Sequence, residues 1–156
     1  MGWAIGALWQ DRHVRHVYYC PLRWADMDSL GHVNNVTYVD YLQEARVDML
    51  SVHAPATGGE QLGEGVVVVR HEVEFVRPLV FRPEPVRIES WVTRIRAASF
   101  TMRYEILDEQ PDGERVVYAR AATVLTPYVF SAERPRRITD AERDVLTRLL
   151  EPEAAR

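Results

Sequence analysis

Lysine is absent from this chain: all 19 basic side chains among its 156 residues are arginine, against 23 acidic ones, for a net charge of −4. A general nucleic-acid binder carries a basic excess, so that class is disfavoured. Only one cysteine, Cys20, is present, which excludes an intrachain disulfide framework and fits a reducing cytoplasm. Its Val- and Tyr-rich surroundings read as a strand, with Cys20 buried in it. No apolar run approaches the roughly 20 residues needed to cross a bilayer, so membrane insertion is not expected. The apolar start, Trp3 to Trp9, is short and lacks a basic flank, so it does not read as a signal peptide. The five histidines are scattered without metal-ligand spacing, and no metal or other cofactor is expected. Gly-x-Ser-x-Gly is also missing, which removes support for a serine hydrolase.

What the chain does have is one dense polar stretch. Arg23-Trp24-Ala25-Asp26-Met27-Asp28-Ser29-Leu30-Gly31-His32-Val33-Asn34-Asn35 places two carboxylates, a glycine, a histidine and two asparagines between a strand-like and a helix-like segment. A helix start carries free N–H groups and the positive end of the macrodipole. A carboxylate and an imidazole just upstream suit reaction at a carbonyl, whose oxygen needs donors as it becomes negative. Asn34, Asn35 and Thr37 are all suitable helix caps.

Around this stretch the periodicity is legible. Residues 14–24 read as a first strand, with Pro21 at an edge or bulge. Tyr38, Tyr41, Leu42, Ala45, Met49 and Val52 recur at helical spacing, and Val39, Val47 and Leu50 lie off that face, which predicts a deeply buried helix. The Gly- and Pro-rich residues 53–65 predict a loop long enough to cover a site. Four strands follow. Val67, Val69, His71, Val73 and Phe75 alternate with charged residues, then come residues 86–95, and then Phe100, Met102, Tyr104 and Ile106 on one face. Asp112-Gly113 marks a hairpin, after which Val117, Ala119, Ala121, Thr123 and Leu125 form a face of mostly small residues. Thr139-Asp140-Ala141-Glu142 opens a last helix with a capping box. The pattern is α+β, a sheet on a helix. The expected division is an N-terminal extension over 1–13, one domain over 14–130, and a C-terminal extension with a short helix over 131–156.

The ordered run D-x-D-x-x-G-H-V-N-N, followed by Tyr38, Tyr41, Glu44, Ala45 and Arg46, resembles the signature of the hotdog-fold acyl-CoA thioesterases of the 4-hydroxybenzoyl-CoA type. The match is specific over residues 23–46, with weaker strand-pattern similarity to about residue 128. The resemblance implies a hotdog fold, an antiparallel sheet wrapped around one long helix. It also implies a homodimer or tetramer of dimers, with each site between subunits. Asp28 takes the place of the catalytic carboxylate, as nucleophile or as general base for water. His32 is a candidate donor to the thioester carbonyl or water, and as imidazolium a stabiliser of Asp28. Asn35 stands where the family offers its oxyanion N–H. Gly31 allows close approach or positive φ.

Tyr38 reads first as a core residue and second as pocket lining. His71 reads as a satisfied core histidine, on the strand where related pockets take residues from the partner subunit. Asp26 reads as a carboxylate bonded to turn N–H groups or to Arg23, and Glu44 as a partner for Arg46 or for a neighbouring subunit. Arg94 and Arg96, ahead of Ser99-Phe100, are candidates for coenzyme A phosphates, although two positions that are often basic in the family are Ala97 and Ala98 here. Two other readings stand beside an acyl-CoA thioesterase: a thioesterase acting on acyl carrier protein, and a non-catalytic acyl-thioester binder. A hotdog hydratase is disfavoured, since Ser29-Leu30-Gly31 separates Asp28 from His32 with no Asn-Pro between them.

Overall fold

The computed structural model describes residues 15–54, 62 and 65–153. The expected N-terminal extension and most of the expected covering loop lie outside them. The elements are β1 (His16–Cys20), α1 (Asn35–His53), β2 (Val66–Phe75), β3 (Val86–Ile95), β4 (Phe100–Glu109), β5 (Arg115–Val129), the two-residue β6 (Arg134–Pro135) and α2 (Asp140–Arg148). Five strands form one antiparallel sheet in the order β1-β3-β4-β5-β2, and β6 pairs with β5. This curled sheet holding α1 is the hotdog architecture.

Local chemistry sets the boundaries. Asn34 Oδ1 accepts from the Val36 N–H at 2.9 Å and caps α1, whose end is marked by the Ala54 N–H donating to the Leu50 carbonyl. The β4–β5 hairpin turns at Gly113, with φ +87°, which an L side chain adopts only under strain. The expected capping box on α2 is present: the Glu142 N–H donates to Thr139 Oγ1 and the Thr139 N–H to Glu142 Oε2.

The concave face of the sheet is apolar. Ile88 and Val92 of β3, Phe100, Met102, Tyr104 and Ile106 of β4, and Ala119, Ala121 and Leu125 of β5 join Tyr38, Leu42, Ala45 and Met49 of α1 in one core. α1 packs over β1 and β3. It is tied there by His16, whose Nε2 lies 2.7 Å from Asp48 and Nδ1 3.1 Å from His53. The convex face is a lattice of ion pairs in which Arg15, Arg87, Arg115 and Arg120 surround Glu89 and Glu105. Beyond the start of β1, the chain after α2 covers the edge of β3: the Val92 N–H donates to the Leu149 carbonyl and the Glu151 N–H to the Val92 carbonyl.

Several expectations change. The first strand runs only from His16 to Cys20, because Pro21 offers no N–H and Trp24–Asp26 coil into a 3₁₀ turn. α1 buries one broad face instead of its whole circumference. Leu50 and Arg46 are buried, whereas Val47 and Val52 are more than half exposed. In β2 a bulge at Val69 shifts the alternation, so Val68 and His71 share the concave side and Val69 points out. Leu146 and Leu149, at the end of α2, join the same core as α1.

Candidate active site

The site is built on a loop locked to the start of α1. Met27 and Val33 pair across it, the Asp28 N–H donates to the His32 carbonyl at 2.9 Å, and the Gly31 N–H donates to the Asp28 carbonyl at 3.0 Å. Gly31 sits at φ +77°, the conformation that lets so tight a turn close. The Val33 N–H donates to the Leu79 carbonyl and the Asn34 N–H to the Asp26 carbonyl, so the loop is fixed at both ends.

The two carboxylates have different environments. Asp26 is only 4% exposed. Its Oδ2 accepts from the Arg23 N–H at 2.9 Å and from the Tyr41 hydroxyl at 2.5 Å, and its Oδ1 from Arg23 Nε at 2.9 Å. Burial pushes this carboxyl up, but the Tyr41 hydroxyl, the Arg23 N–H and the guanidinium outweigh it and hold the group below its ordinary range. Both oxygens are thus engaged in the turn, and the group is buried.

Asp28 is half-buried and accepts one bond, from the Leu30 N–H to Oδ1 at 2.8 Å. Its Oδ2 has no partner among the described residues. At the adjoining helix start the Val36 N–H is taken by Asn34 Oδ1 and the Thr37 N–H by the Asn34 carbonyl. That leaves the Asn35 N–H without a protein acceptor among the described residues. The His32 side chain is exposed, across the turn from Asp28, and makes no hydrogen bond among the described residues.

Asp28, Gly31, His32 and Asn35 are thus brought together; the other candidates are distributed along the fold. Tyr38 is buried, with its ring edge-on to Phe75 at 5.1 Å between centroids. His71 Nδ1 lies 2.9 Å from Thr123 Oγ1 on the concave side of β2. Arg94 lies on the convex face, because a bulge between Val92 and Arg94 turns it to the side of Thr101. With Arg70, Thr101 and Arg103 it lines a surface depression of about 360 Å³. Arg96 and Ser99 lie in the β3–β4 turn, where the Arg96 N–H donates to the Ser99 carbonyl. Cys20 is buried, and desolvation, with Asp26 and Glu44 nearby, pushes its thiol up to about 11, so it carries no thiolate at neutral pH.

Two side chains have roles that their sequence positions did not reveal. Tyr41 supplies the hydroxyl that fixes Asp26, and Arg46 is buried instead of pairing with Glu44, which stays exposed. The available signal was that Arg46 lies four residues beyond Leu42, beside the apolar stripe.

A hotdog sheet with a polar turn feeding its central helix defines a thioesterase-type protein. The chain belongs to the thioesterase-like superfamily, which matches over residues 22–149. Among solved structures, a Xanthomonas campestris protein provisionally described as an acyl-CoA thioesterase is 33% identical, covering 73% of this chain and 93% of its own, with a TM-score of 0.61. A Thermus thermophilus thioesterase complexed with coenzyme A and zinc is 26% identical, covering 85% and 92%, with a TM-score of 0.69. A 4-hydroxybenzoyl-CoA thioesterase variant complexed with 4-hydroxybenzoyl-CoA shares the fold at 17% identity, covering 85% and 98%, with a TM-score of 0.73. No curated protein is similar enough to match.

Proposed function

We propose that this chain hydrolyses acyl-CoA thioesters, with Asp28 as the reacting carboxylate. The observation that carries this reading is the Oδ2 of Asp28, beside a helix start with the Asn35 N–H, both unclaimed among the described residues. As general base, Asp28 takes a proton from water; the hydroxide adds to the thioester carbon and the oxyanion is held by the Asn35 N–H. Collapse breaks the C–S bond, and the coenzyme A thiolate leaves and is reprotonated. As nucleophile, Asp28 would displace the thiolate itself, and water would hydrolyse the resulting anhydride. In this reading His32 donates to the carbonyl or the water. A panel of short, long and aromatic acyl-CoAs with thiol detection tests the activity. Release of thiol from none of them, while the protein binds them, would favour a non-catalytic binder.

The relatives solved with coenzyme A or its ester support that substrate class. Within this chain, Arg94 has no ion-pair partner among the described residues, whereas its neighbours Arg70 and Arg103 pair with Glu72 and Glu153. A free guanidinium in an arginine-lined depression suits a phosphate. Replacing Arg94 and Arg96 by Ala is expected to raise KM for acyl-CoA and weaken its salt dependence, with little effect on a pantetheine thioester. Equal effects on both substrates would remove this assignment.

The working form is a homodimer or a tetramer of dimers. Among the described residues β2 is an open edge, and Val68, Val69 and Phe75 on it are exposed. Such an edge templates aggregation unless another strand or chain covers it. Light scattering at micromolar concentration is expected to give at least twice the 18.0 kDa chain mass; a monomer alone would count against shared sites.

A further inference from the structure

Arg46 is the most deeply buried arginine described, 8% exposed, and it belongs to no part of the chemistry above. No carboxylate pairs with it among the described residues, and its Nη1 is buried without a hydrogen-bond partner. Its guanidinium adjoins the Tyr104 hydroxyl, which also meets Thr123, and its charge reaches His71, which bonds Thr123. Burial and the Arg46 charge both hold His71 below its ordinary value, so the imidazole stays neutral beside the guanidinium. An arginine cannot shed its proton, so a buried one without a counter-charge is a site waiting for an acceptor.

Its position relative to the Asp28 turn gives that acceptor a place. α1 packs over the β1 and β3 half of the concave face. On the inner side of β2, Phe75 and His71 are both exposed, paired across the ladder with the buried Ala119 and Thr123 of β5. Phe75 meets Tyr38 in the first turn of α1, and His71 with Thr123 lies at the level of Arg46. Eight residues of helix and four of strand each span about 12 to 13 Å, so the two walls run in step. From Asn35 to Arg46 the helix axis advances roughly 16 Å.

We propose that Arg46, with His71, Tyr104 and Thr123, forms a subsite that binds a carboxylate at the far end of the acyl group, so that the preferred substrates are ω-carboxyacyl thioesters. This rests on the thioesterase reading above. Arg46 supplies charge and a planar fork, the Tyr104 hydroxyl adjoins it, and Thr123 links that hydroxyl to His71.

The test compares kcat/KM for plain acyl-CoAs and ω-carboxyacyl-CoAs of about eight to sixteen carbons, chain lengths that bracket the roughly 16 Å between Asn35 and Arg46 along the helix. Wild type is expected to favour the carboxylated chain by about tenfold or more at the matching length. Arg46→Met, which keeps the buried stem, should lose that preference while hydrolysing plain chains within about threefold of wild type. A wild-type preference for plain chains at every length would overturn the subsite, as would an equal loss on both series. If neither series is hydrolysed, the thioesterase reading has failed, and calorimetry with free α,ω-diacids against monoacids decides the subsite alone. Diacid binding that Arg46→Met abolishes upholds it; equal or absent binding overturns it. Light scattering is run on the same variant: loss of assembly with unchanged chain preference would make Arg46 an interface residue. If Arg46→Met does not fold, Arg46→Lys replaces it; selectivity should drop several-fold, and unchanged selectivity overturns the proposal.

Discussion

Asp28→Asn is expected to lower kcat by about 10² to 10⁴, the usual worth of a general base, and by more if the carboxylate is the nucleophile. The fold should be indifferent to the change. Among the described residues, the only bond Asp28 makes through its side chain is from the Leu30 N–H to Oδ1, and an asparagine Oδ1 accepts that bond equally well. What is lost is the negative charge on the oxygen that has no protein partner. The melting temperature should therefore stay within about 2 °C of wild type, since surface changes away from core features stay within roughly 0.5 kcal/mol. An Asp28→Asn protein with wild-type kcat would end the proposed mechanism.

Asp26 should behave in the opposite way. Asp26→Ala removes the acceptor for the Arg23 N–H and strands the buried Tyr41 hydroxyl, at a cost of about 1 to 3 kcal/mol for that buried donor left unmade. Asp26→Asn should cost less. Its Oδ1 can take the place of Oδ2, which accepts from both Arg23 N–H and Tyr41, so only the exposed Arg23 Nε meets a donor instead of an acceptor. In both variants kcat of the folded fraction should change far less than in Asp28→Asn.

The acid limb carries the same signature. Because the folded carboxyl is held below its unfolded value of 3.8, its stabilisation is complete above that pH and is lost as pH falls through the folded value. Wild type should therefore lose melting temperature below about pH 4 more steeply than Asp26→Asn, which has no proton to take up there. Parallel acid limbs, or Asp26→Ala melting as high as wild type, would show that the turn does not depend on this carboxylate.

Much of this protein was legible from its sequence because the deciding interactions are local. The Asn34 cap, the Thr139–Glu142 capping box and the Gly113 hairpin each involve side chains within a few residues of the backbone groups they satisfy. Strand alternation placed Met102, Tyr104 and Ile106 on one buried face because the period of two is a property of the chain itself. The polar run from Asp26 to Asn35 closes largely on itself, through the Asp28–His32, Gly31–Asp28 and Asn34–Asp26 backbone bonds, so its candidate residues share one turn, which Val33 also ties to Leu79.

The remaining features depended on elements far apart in the chain. A bulge after Val92 turns Arg94 from the helix side to the convex face, and the bulge at Val69 does the same to the phase of β2. Neither has a local signal, since a bulge is a compromise between two paired strands. Val52 and Arg46 exchange their expected places for a similar reason. Helical spacing says which residues share a face, but what the sheet sets opposite each turn decides burial. The sequence by itself determined the helix start, the turns and the residues of the candidate catalytic loop. The tertiary structure alone decided that an arginine would be buried between α1 and the sheet with no counter-charge among the described residues, because that requires Arg46, Tyr104 and Thr123 to come together from three different elements.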